Sequence, residues 1–134
     1  MASNGFAKAA LFFLACVRLG AQDWYHDRDR FYRDEHWHSH VFARVHEDLE
    51  HIYTAGAASD RERQRLDRTR EELSALQAKV DQGVWDNGTV NDVIDSLRKS
   101  ANDERLGPQD RQVLADDAQR IHDFQRNHNR WMRH

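Results

Sequence analysis

Residues Ser59–Gly83 read SDRERQRLDRTREELSALQAKVDQG, and this stretch decides the fold class. Leu66, Thr69, Leu73, Leu76 and Val80 recur at steps of 3, 4, 3 and 4, the spacing of one face of an α-helix. Ser59-Asp60-Arg61-Glu62 is a capping box, in which the Ser hydroxyl and the Glu carboxylate can satisfy orphan amides of the first turn. Gly83 supplies the stop. A helix with leucines on one face and charges on the others must bury that face against further helices.

On its N-terminal side, Phe42, Val45, Leu49 and Ile52 form a matching stripe, which predicts a helix from about Asp34 to Ala55 closed by Gly56 as a left-handed cap. On the other side, Asp86-Asn87-Gly88 reads as a turn and Thr89 as the cap of a third helix, buried through Val90, Val93, Ile94 and Leu97. Gly107-Pro108 opens a fourth, lined by Leu114, Ala118, Ile121, Phe124 and Trp131. No segment alternates with period two, so no sheet is expected. The fold class is all-α, a small antiparallel bundle of about four helices whose core includes Val45, Leu49, Leu73, Leu76, Ile94, Leu97, Ile121 and Phe124.

A chain of 134 residues holds one such domain. Lys8, the apolar run Ala9–Val17 and the small residues before Gln22 read as a signal peptide over residues 1–21. Cys16 follows Phe13-Leu14-Ala15, which departs from a lipobox at two positions, so ordinary cleavage is expected, with no transmembrane segment in the mature chain. Residues 22–37 form an arm in which aromatics interleave with charges of both signs, and residues 38–134 form the bundle. The export expectation implies a periplasmic or secreted protein whose mature form lacks cysteine and relies on packing and caps. Its charge, after loss of Lys8 and Arg18 from a total of −3, is −5, and nine protonated histidines would raise it to +4. With 20 basic against 23 acidic residues dispersed along the chain, nothing resembles a phosphate-binding field, and nucleic acid is not an expected partner.

There is no phosphate loop, nucleophile elbow or His-Glu-x-x-His signature, and no reaction is read from the sequence. His36 with His40, and Glu47 with His51, stand one turn apart if helical, and either pair could supply two ligands to a surface site for Zn, Cu or Ni. Glu35-x-x-His38 has the spacing of a di-iron ligand pair, but the chain offers no second such pair on another helix. Trp24, Tyr25, Phe31, Tyr32 and Trp37 are the candidate interaction residues, because the two aromatic pairs are seven positions apart and would share a helical stripe. His128, between Phe124 and Trp131, is expected to pack half-buried at the bundle's open end.

Leu73-Ser74-Ala75-Leu76-Gln77 resembles the Leu-Thr-x-x-Gln mark of small periplasmic helical proteins of the Spy and CpxP type, with Ser in place of Thr. The chain also resembles exported bacterial helical proteins with an aromatic, Asp/Arg-rich N-terminus. The Spy-type resemblance implies envelope chaperoning by a dimer. The expectation is a non-enzymatic envelope interaction protein binding a protein or surface, monomeric or homodimeric, with a periplasmic divalent-metal sensor or buffer as the alternative.

Overall fold

The computed structural model describes residues 23–56 and 59–132. All regular structure among them is helical, with no strand. They fall into two compact units that divide between Trp37 and His38. In the first, α1 covers residues 23–33. A single 3₁₀ turn (Trp37–His40) starts at the last residue of the first unit, and in the second α2 (Val41–His51) follows it and continues as one π-helical turn (Ile52–Gly56). Then follow α3 (Asp60–Asp81), α4 (Asn87–Ala101) and α5 (Pro108–Trp131).

The four longer elements of the second unit close into a ring, with α2 against α3 and α5, and α4 against α3 and α5. Cross-helix contacts show that every neighbouring pair is antiparallel. His46 meets Ser74 and Glu50 meets Arg70 between α2 and α3, Glu72 meets Ser96 and Arg65 meets Asp103 along α3 and α4, and Gln125 meets Asn91 where α5 passes α4. Phe42 packs on Phe124, which sets α2 against α5. The result is an up-down-up-down bundle, as short connections favour. Its core contains all eight residues expected from the stripes, together with Val41, Leu106 and Val113. Val80 and Trp131, assigned to buried stripes, are only half-buried because both lie where the bundle opens.

Four local expectations are corrected. The helix predicted from Asp34 begins at Val41 instead, because the Asp34 carboxylate accepts the His36 N–H at 2.9 Å and so favours a local turn over helix. Gly56 is not a left-handed cap, and Gly83, at φ 75°, is the only residue with positive φ among those described. A Cβ at position 56 would meet the Asp110 carboxylate, which would have to swing aside. The cap of α4 is Asp86 rather than Thr89, its carboxylate accepting the Gly88 and Thr89 N–H groups at 3.0 and 3.4 Å. Asn87 and Gly88, read as a turn, are therefore the first residues of the helix. Ser59 caps α3 as expected, accepting the Glu62 N–H at 3.4 Å, and Pro108 opens α5.

Candidate functional site

The candidate interaction residues fall in the first unit. In α1, positions 24, 25, 28, 31 and 32 share one helical face. Trp24 and Tyr25 meet edge to face at 5.0 Å, Phe31 and Tyr32 at 4.9 Å, and Tyr32 also meets Trp37 at 5.7 Å. The Arg28 guanidinium lies 4.8 Å from the centre of the Tyr32 ring, a cation–π contact. The expected stripe thus exists on a helix of its own, separate from α2.

Of the candidate metal ligands, Glu47 and His51 stand one turn apart on α2 as expected, whereas His36 and His40 do not share a helix. His36 is exposed in the turn after α1, and His40 is exposed just before α2, so the helical one-turn relation assumed for them is absent. The Glu47 carboxylate accepts from Arg44 at 3.3 Å on the surface of α2. His51, half-buried at the end of α2, has its imidazole held below the ordinary value of 6.5 by burial, against the opposing pull of the Asp110 and Asp48 carboxylates. Among the described residues no three His, Cys, Asp or Glu side chains are grouped to hold a metal ion.

The bundle itself brings together a site that the sequence reading did not assemble. At the end where α2 starts and α3 and α5 finish, an open groove of about 680 Å³ lies between them. Phe42, Phe124 and Trp131 give it aromatic walls, while His38, His40, His46 and Asp81 supply its titratable groups. His38 stacks on Trp131 with ring centres 4.5 Å apart and planes inclined by 15°. A second stack stands beside it, His128 on Trp85 at 4.5 Å and 6°, and Phe124 joins the two through contacts of 5.7 Å to Trp85 and 5.6 Å to Trp131. The His128 Nδ1 lies 2.8 Å from the Gln125 carbonyl and therefore carries the proton, donating to that oxygen. His46 Nε2 is hydrogen-bonded to Ser74 Oγ at 2.9 Å, which fixes its ring across α2 and α3.

Near this end, Lys79 of α3 ties down the start of α4. Its ammonium donates to Asp86 at 2.6 Å and to the Thr89 hydroxyl at 3.0 Å. The lysine, together with the Thr89 amide and hydroxyl, lowers the Asp86 carboxyl from 3.8 to about 2. The groove, aromatic within and polar at the edge, can hold an apolar side chain of a ligand while orienting it through imidazoles.

The burial of three acids, Asp48, Glu62 and Asp117, was not expected from the sequence, which offered Glu62 only as a capping-box carboxylate. Asp48 lies three residues after Val45 and four before Ile52, at a core position of its stripe, where Arg44 approaches its carboxylate to 3.4 Å. That offset was the available signal. Comparison with known proteins gives no match to any family model, curated protein or solved structure. Among the described residues no helix is long and apolar enough to cross a membrane.

Proposed function

We propose that the chain is a non-enzymatic interaction protein of the bacterial envelope, exported through residues 1–21 and binding a protein or surface there. Those residues lie outside the described ones, so export rests on the order of charge, apolar run and small residues. The observation that carries the binding reading is the groove at the end of the bundle, whose aromatic walls stand open beside three histidines. The aromatic face of α1 offers a second contact surface of the same character.

Envelope fractions from the native host, sedimented with the purified chain, provide the test. Ala43, exposed on the groove wall, can be replaced by Trp to fill the space, and Trp131→Ala removes its largest aromatic wall. Each variant should reduce retention by about tenfold, the scale of losing one anchoring aromatic. Unchanged retention in both, with melting curves showing intact helices, would discard the groove as the binding site.

A further inference from the structure

An Asn-Gly pair is where a peptide chain most readily attacks its own side chain, because glycine puts no Cβ beside the attacking nitrogen. The sequence holds two such pairs, Asn4-Gly5 and Asn87-Gly88, and the second lies among the described residues. It opens α4 with both residues exposed, so solvent reaches it and burial offers no protection. The reacting groups are nevertheless held. The Gly88 N–H donates to Asp86 Oδ1 at 3.0 Å, and Asn87 Oδ1 accepts the Trp85 indole N–H at 2.8 Å. Asp86 is fixed in turn by the Lys79 ammonium at 2.6 Å and the Thr89 hydroxyl at 3.1 Å, while its carbonyl accepts the Val90 N–H at 3.1 Å.

We propose that Asn87-Gly88 is a self-modification site kept closed by the Asp86 cap, and that it converts to aspartate and isoaspartate when the cap opens. In the first step the Gly88 nitrogen bonds to Asn87 Cγ and the Cγ–Nδ2 bond breaks, Nδ2 leaving as ammonia with the proton that the Gly88 nitrogen gives up. Water then opens the cyclic imide, its hydroxyl adding to either carbonyl carbon and its other proton returning to the nitrogen. Ring closure needs Asn87 Cβ and the Gly88 nitrogen eclipsed about the Cα–C bond, whereas a helical ψ of about −42° holds them apart. Turning that bond withdraws the Gly88 and Thr89 N–H groups from the Asp86 carboxylate, so the reaction must break the cap first. The negative charge of Asp86 adds a second restraint, since an anion bonded to the Gly88 amide opposes the proton loss that would make its nitrogen a nucleophile. Isoaspartate at position 87 puts an extra main-chain carbon between Asp86 and Gly88, and the same cap cannot close again. The site adjoins Trp85, which stacks on His128, so conversion marks aged chains at the aromatic end of the bundle.

Mass-spectrometric peptide mapping tests this on the full chain aged in mildly alkaline buffer. The tryptic fragment of residues 80–98 reports position 87, and Asn4-Gly5 is counted in a fragment of its own. Each rate is divided by that of the same chain in denaturant, which removes the effect of local sequence. Folded wild type should convert Asn87 at least about tenfold more slowly than denatured wild type, as a site reached through local opening does. Asp86→Ala, with its helix content verified, should speed conversion in the folded chain by about fivefold, the scale on which loss of an N-cap favours the open state. Asp86→Ser keeps a capping oxygen and should stay nearer the wild type than Asp86→Ala. Equal rates in folded and denatured wild type would overturn the proposal, and that comparison stands even where Asp86→Ala does not fold. A folded Asp86→Ala chain as slow as the wild type, or Asp86→Ser as fast as Asp86→Ala, would overturn it as well.

Discussion

At the scale of single residues, the two perturbed acid–base groups act on stability in opposite halves of the acid range. Asp86 is held low by Lys79 and by its capping bonds, so its contribution is fully present above the unfolded value of 3.8 and disappears as pH falls through about 2. Asp86→Asn keeps an oxygen for the Gly88 amide but loses the charge facing Lys79. Its melting temperature should lie below that of the wild type from neutrality down to about pH 4, and the two curves should converge near pH 2, as thermal unfolding in a buffer series will show. His51 also loses stability on acidification, but at higher pH and through burial of the imidazole. Burial lowers its folded value below 6.5, so on acidification the unfolded chain takes up the proton first and stability falls as pH drops through 6.5. His51→Gln should flatten that part of the profile between about pH 7 and 5.5, whereas an unchanged slope would assign it to other histidines.

At the scale of elements, α3 shows what periodicity can carry. Leu73 is fully buried, so Leu73→Ala should cost about 2–5 kcal/mol in denaturant unfolding. Val80, on the same stripe but half-exposed, should lose much less on the same truncation. The stripes of α2 to α5 were legible because burial of an amphipathic helix writes its period directly into the sequence. The break between α1 and α2 was not, since it depends on the Asp34 side chain outcompeting helical bonding over a stretch rich in helix-compatible residues. Nor was Asp86 distinguished from Thr89 as the cap, although aspartate is among the strongest N-cap residues, because Asn87-Gly88 also makes a good turn. Of the site, the sequence showed the individual imidazoles and indoles but not their partners. His38 and Trp131 stand at opposite ends of the bundle sequence, and only the antiparallel packing of α2 on α5 stacks them.

For the whole molecule, histidine content dominates the response to mild acid. The formal charge of −3 rises by nine, to +6, when every histidine is protonated. Three of the nine, His38, His40 and His46, lie around the aromatic groove, with Asp81 as the one acidic side chain lining it among the described residues. Binding to an anionic envelope surface should strengthen by several-fold between about pH 7.5 and 5.5. Replacement of these three histidines together by Gln should weaken the dependence, with co-sedimentation at both pH values as the measurement. The stack of His38 on Trp131 has a separate consequence for the order of the chain. It places the first and last residues of the bundle within one ring contact of each other, so a short glycine-rich link could join them and the Gln82–Asp86 connection could be opened to give new ends. A circular permutant of residues 38–132 made in this way should melt cooperatively with the helix content of its parent. The helices would then be read in the order α4, α5, α2, α3 around the same ring.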